Sequence, residues 1–131
     1  MRKSLTQWAA VVVVLSCAGR LHAGEVDAPK IDKYTQMGNL WKVEVSGTMT
    51  IDTGETYLGM VAWFLNQDTG KTEAVTWVQI TPPKVGTPGS YNYYAWLPAG
   101  SWAAVSNMKF KDKNGKDRTA TGATGFTLPP P

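Results

Sequence analysis

The side chains able to carry covalent or acid–base chemistry are few. Cys17 is the only cysteine and His22 the only histidine in 131 residues. Both lie in an N-terminal stretch that reads as an export signal. Cleavage after Ala23 removes them. The mature domain then has no Ser-His-Asp or Cys-His nucleophile system, no thiol redox chemistry and no ordinary zinc, copper or haem site. Cleavage after Ala18 would keep His22, but in a leader with nothing to place it for catalysis. Carboxylates remain, and two of them facing each other can hydrolyse a glycoside. The candidates are Glu44, Asp52, Glu55, Asp68 and Glu73. Most fall in turns or on polar strand faces. Solvated surface charge is the simpler reading there, since nothing in the sequence buries them to shift a pKa. The sequence therefore assigns no catalytic residue, no cofactor and no metal. A carboxylate-only hydrolase is the remote alternative.

Two short motifs look chemical and dissolve on inspection. Ser106-Asn107-Met108-Lys109 matches the Ser-x-x-Lys of penicillin-recognising enzymes, which needs both residues one turn apart on a helix. On a strand, three residues apart means opposite faces. Asp112 to Asp117 has the look of a calcium loop, but it lacks the downstream bidentate Glu and carries lysines. A hairpin turn explains it, with the favoured Asn114-Gly115 pair.

The aromatic residues hold the functional promise. Of six Trp and five Tyr, only Trp8 precedes Gly24. That exceeds what a small core needs. In the stretch Ser90 to Leu97, Tyr91 and Tyr93 alternate with Asn92, Tyr94 and Trp96, so one set can line a core while the other faces out. Tyr91, Tyr93, Tyr94, Trp96 and Trp102 are the candidate binding residues. Outward rings can stack on sugars or anchor a protein partner. A core packed from both faces, with cross-strand aromatic pairs, is the competing explanation.

The elements that must position these rings begin after the signal. Met1-Arg2-Lys3 and an apolar run from Trp8 to Ala18 form a basic start and a short hydrophobic stretch. Leu21-His22-Ala23 supplies a small residue for cleavage, giving a signal peptide over 1–23. The run is about half the ~20 residues a membrane-spanning helix needs. Cleavage after Ala18 is one alternative. Another is a lipobox at Val14-Leu15-Ser16-Cys17, with Cys17 lipidated and the protein held at the membrane. The expected location is secreted or periplasmic, or lipid-anchored in that last case. Losing Arg2, Lys3 and Arg20 leaves 10 of the 13 basic residues against 10 acidic ones. A neutral mature chain gives no reason to expect nucleic acid or an anionic membrane as partner.

After Gly24 no segment has helical periodicity. Residues 24–38 read as a flexible leader or lead-in strand. Leu40–Thr50 alternates, with Trp41, Val43 and Val45 on one face. Tyr57–Leu65 is apolar on both faces, as suits a central strand. Asn66–Gly70 is a tight turn, and Thr72–Ile80 follows as one strand. A Pro/Gly loop from Pro82 to Gly89 precedes Ser90–Leu97. Trp102–Lys111 and Arg118–Leu128 complete the set, and 129–131 is a proline tail. Six or seven short strands over 39–128 imply an all-β fold: one small immunoglobulin-like, Greek-key β-sandwich, with a closed barrel as runner-up.

Ser90-Tyr91 through Leu97-Pro98-Ala99-Gly100-Ser101-Trp102 resembles the strand-turn-strand signature of transthyretin-like, carboxypeptidase-regulatory-like sandwiches. It is also similar to the corner before strand F of fibronectin type III domains, with Trp102 where those families usually carry Tyr. Its indole N–H could replace the hydroxyl's bond to the backbone, as a donor only. The resemblance covers roughly 25 residues and implies a sandwich used as a binding, spacer or accessory module. It transfers no functional residue. The expected function is an exported, non-enzymatic binding module of the cell envelope whose partner is an unidentified protein or glycan. A carbohydrate-binding module is the alternative.

Overall fold

The computed structural model describes residues 24–131. The expected signal peptide over 1–23, with Cys17 in it, lies outside the described residues. Nine strands follow in order: β1 (Glu25–Val26), β2 (Lys30–Met37), β3 (Leu40–Thr50), β4 (Thr56–Asn66), β5 (Thr72–Ala74), β6 (Trp77–Thr81), β7 (Gly89–Leu97), β8 (Gly100–Lys111) and β9 (Asp117–Leu128). Sheet A has the order β1-β3-β7-β6, with β2 also on β3, and sheet B the order β5-β4-β8-β9. All pairings are antiparallel. The central pairs β3–β7 and β4–β8 join strands far apart in sequence. That is the Greek-key arrangement of immunoglobulin-like sandwiches, and the fold is all-β as the alternation implied.

Two segments differ from the sequence reading. Residues 24–38, expected as a flexible leader or a lead-in strand, hold two strands built into sheet A: β2 runs along β3 from Lys30↔Ser46 to Met37↔Leu40. The tight reversal at Gly38, whose φ is +62°, makes the β2–β3 hairpin that a polar, aperiodic stretch did not announce. The chain before it closes the seam between the sheets. Thr124 Oγ donates to Pro29 O, and a Cβ at Gly122 would collide with the Asp27 carbonyl. Thr72–Ile80, expected as one strand, is two. β5 pairs with β4 in sheet B, and β6 pairs with β7 in sheet A. The chain changes sheets at Val75-Thr76 with no Gly or Pro. Packing decides this: Val75 sits against the core, and Thr76 N–H bonds to Tyr94 O at 2.8 Å.

The core is made by alternation. Val43, Val45, Tyr91, Tyr93, Ala95 and Leu97 point inward from sheet A, and Phe64, Trp102, Ala104, Met108 and Phe110 from sheet B. Phe64 meets Tyr93 edge-on at 5.5 Å, the geometry that aromatic quadrupoles favour. The Tyr93 hydroxyl finds Ser106 Oγ at 3.1 Å inside the core. Tyr91 stacks on Tyr93 at 5.8 Å and donates its hydroxyl to Asp27 O at 3.4 Å. At the corner between β7 and β8, Trp102 Nε1 donates to Pro98 O at 3.0 Å.

Replacing Trp102 by Phe removes that bond and leaves a small void, so unfolding free energy should fall by about 2 kcal/mol in urea titrations. Burial pushes the Tyr91 hydroxyl up to about 12 and raises that of Tyr93 as well. In the unfolded chain both ionise near ~10. Their neutral forms are thus favoured by folding, and that contribution is whole below pH ~10 and lost as pH climbs through the folded values. The urea midpoint should hold steady to pH ~10 and drop above it. The drop should be shallower in Tyr91→Phe.

Candidate functional site

The structure divides the five candidate rings. Tyr91, Tyr93 and Trp102 are buried in the core and cannot contact a partner. For these three, the expectation of a binding role is corrected: strand phase and the β7–β8 corner turn them inward. Tyr94 and Trp96 lie on the outer face of sheet A, half-buried.

A ring that the sequence reading missed joins them. Trp77 of β6 is in register with Tyr94, 46% exposed, and stacked on it at 5.8 Å and 26°. Read as part of one long strand, Trp77 shared a face with Val75. The break at Val75-Thr76 turns it outward. The signal was the local alternation of Trp77, Gln79 and Thr81 against Val78 and Ile80.

On the other side, β3 contributes charge. Lys42 is in register with Trp96, and Glu44 with Tyr94. Lys42 Nζ lies 4.3 Å from the Tyr94 ring centroid, a cation–π contact worth about 0.5–1 kcal/mol at an exposed site. Beyond it, Met37 and Leu40 are paired in register and both exposed. Leu40 is diagonal to Trp96, a spacing that long side chains bridge. An apolar band therefore crosses all four layers of strand: Met37, Leu40, Trp96, Tyr94, Trp77. Lys42 is set within it.

The acids are dispersed. Glu44 belongs to the Tyr94 row. Asp52 and Glu55 cap the β3–β4 turn, accepting N–H groups of Thr53 and Asp52. Asp68 accepts from Ser101 N at 3.3 Å. Glu73 is exposed on β5. Ser106 is buried against Tyr93 while Lys109 is exposed, the opposite faces that a strand demands. Asp112 organises the last hairpin, accepting N–H bonds from Asn114 (2.8 Å) and Lys116 (3.0 Å) and pairing with Arg118 Nε at 3.0 Å. The Lys116 N–H foremost, with Arg118 and the Asn114 N–H, lowers its carboxyl to about 2. Gly115, with φ +81°, closes that turn. Among the described residues no group of three or more His, Cys, Asp or Glu is placed to hold a metal ion.

A cavity of about 440 Å³ opens at the end of β9, lined by Tyr34, Gln67, Ser101, Phe126, Thr127 and Pro131 among others. Gln67 Nε2 donates to Trp102 O at 2.6 Å, leaving its buried Oε1 without a partner. None of the five candidate rings lines it.

No family model matches the chain, and no curated protein matches it. Among solved structures it is similar to one described as the X-ray structure of Northeast Structural Genomics Consortium target SoR45. The identity is 14% and the TM-score 0.51, over 81% of this chain and 86% of that one. At that identity the likeness speaks to the sandwich fold alone.

Trp77→Ala and Trp96→Ala should each change unfolding free energy by less than about 1 kcal/mol, because these rings stand on the outer face. Trp102→Ala should lose about 3–5 kcal/mol. Chemical denaturation of the three variants measures the contrast.

Proposed function

We infer that this chain is an exported, non-enzymatic binding module of the cell envelope, and that it contacts its partner through the outer face of sheet A. One observation carries the reading: the apolar band from Met37 to Trp77 with Lys42 inside it. A solvated antiparallel face ordinarily shows polar residues. Here aromatic and aliphatic side chains line up across β2, β3, β7 and β6. Trp and Tyr are the residues that most often dominate contact energetics, since they bring large area at little entropy.

The ring geometry favours a protein partner over a glycan. Cross-strand rings stacked at 5.8 Å occupy each other's faces, and Lys42 lies over Tyr94. A sugar platform needs open faces lying in one plane. The band instead offers a ridge with one cation, suited to a groove or strand of another protein.

A photoreactive phenylalanine analogue at position 77 or 96, in cells that make the protein, tests this. The expected result is a covalent adduct of one defined mass from both positions, and none from position 113 in the β8–β9 turn. Tyr94→Ala should weaken adduct formation about tenfold, the scale of a contact hot spot. No adduct from either position overturns the reading. A saturable blue shift of tryptophan emission with one glycan, lost in Trp77→Ala, would put the carbohydrate-binding alternative in its place.

A further inference from the structure

The cavity at the end of β9 has an unused acceptor in its lining. Its volume is about 440 Å³, within the ~300–1,000 Å³ usual for small-molecule sites. Gln67 lines it and is 4% exposed. Two bonds hold this residue in place. Its Nε2 donates to Trp102 O at 2.6 Å, and its backbone N–H donates to Ser101 O at 2.8 Å. The amide cannot turn over, because its carbonyl would then face the Trp102 carbonyl. Oε1 is thus fixed as an acceptor, buried and without a partner among the described residues. A stranded buried acceptor costs free energy, and native structures hold few of them. Gly125, also in the lining, keeps space open beside the amide. A Cβ there would stand 3.4 Å from Gln67 Nε2 and 3.8 Å from Trp102 O. No turn accounts for this glycine, which lies inside β9 in register with Ala103.

The rest of the lining selects the ligand. Tyr34 and Phe126 bring aromatic rings, 6.1 Å apart and tilted by 54°, and Pro131 an apolar one. Among the described residues no Asp, Glu, Lys or Arg lines the cavity. A charged ligand would lose its hydration with nothing to replace it. A sugar carries a hydroxyl on most of its carbons and would strand several against these rings. A flat apolar ring with one donor fits better, since it can pack on Tyr34 and Phe126 while the donor meets Oε1. We propose that this cavity binds a neutral aromatic ring bearing a single hydroxyl or N–H, a phenol or an indole, with Gln67 Oε1 accepting its hydrogen bond. Thr127 and Pro131 are exposed members of the lining, and they give way as the donor reaches Oε1. Such a ring comes either as a free small molecule or as the Tyr or Trp side chain of another protein. The site stands apart from the sheet A band and does not need that reading.

Amide NMR of the purified chain, titrated with para-cresol, its methyl ether and N-acetyl-tyrosinamide, reads the site directly. Para-cresol should shift the Gln67 side-chain NH2 and the Gly125 N–H signals saturably, with a dissociation constant of about 1 mM or below. The methyl ether keeps the ring and loses the donor, and should bind at least about tenfold more weakly. Gln67→Leu removes the acceptor and should bring these two ligands level, read at Gly125. Gly125→Val fills the space beside the amide and should abolish binding, read at the Gln67 NH2, with circular dichroism unchanged. N-acetyl-tyrosinamide separates the sources. Binding as tight as that of para-cresol assigns the ring to a partner protein, and binding at least about tenfold weaker assigns it to a free small molecule. No saturable shift with para-cresol at about 10 mM overturns the proposal. So does a parent chain that binds the methyl ether equally well.

Discussion

The corner between β7 and β8 constrains everything around it. β7 ends at Leu97 and β8 begins at Gly100, so two residues carry the chain from one sheet to the other. Both strands are central in their sheets, and both must arrive with their apolar rows facing inward. Pro98 stops the first strand. Trp102 fills the corner from below and ties its indole N–H to the Pro98 carbonyl. With that bond in place, Tyr91, Tyr93, Ala95 and Leu97 face Trp102, Ala104, Met108 and Phe110 across the core. A slip of one residue on either side would turn every one of these side chains to water.

The outer faces follow from the same phase. Because Tyr93 and Leu97 are inside, Tyr94 and Trp96 are outside. Because Ala104 and Met108 are inside, Ala103 and Val105 are outside. The two faces then diverge. Sheet A mixes rings with lysines and a glutamate, a composition that tolerates water. Sheet B sets Val61, Trp63, Leu65, Ala74 and Ala123 beside Asn107, Thr119 and Thr121 on its outer face, with its charged groups at the β8–β9 hairpin end. One sandwich thus presents two surfaces of different character, set back to back about one core thickness apart.

Secondary structure near the edges depends on tertiary contacts to a greater degree. β1 is two residues long, and β5 three. Neither would form alone, since a strand's hydrogen bonds need a partner. β2 is charged and carries a bulge between Ile31 and Lys33, features that protect an edge from pairing further. Polar sequences of this kind look like linkers until a neighbouring strand supplies the ladder. The site inherits this dependence: Met37 reaches the apolar band only because β2 pairs with β3, and Trp77 only because β6 pairs with β7.

Local pattern was enough for much of the architecture. Alternation in Leu40–Thr50, Ser90–Leu97 and Trp102–Lys111 marked the strands that build the core, and Asn114-Gly115 marked a hairpin. The opposite faces of Tyr91 and Tyr94 were legible for the same reason, since side-chain direction in a strand repeats every two residues. What local pattern could not decide was which face of a strand meets another sheet. Tyr91, Tyr93 and Trp102 are as aromatic as Tyr94 and Trp96, and only the crossing at Pro98-Ala99 sorts them. The break at Val75-Thr76 has no turn residue to announce it, because packing of Val75 and one bond to Tyr94 O replace the turn chemistry. Composition and period belong to the sequence by itself. Which ring is core, which ring is surface and which strands share a sheet arise from long-range pairing, whose energy lies in contacts between residues distant along the chain.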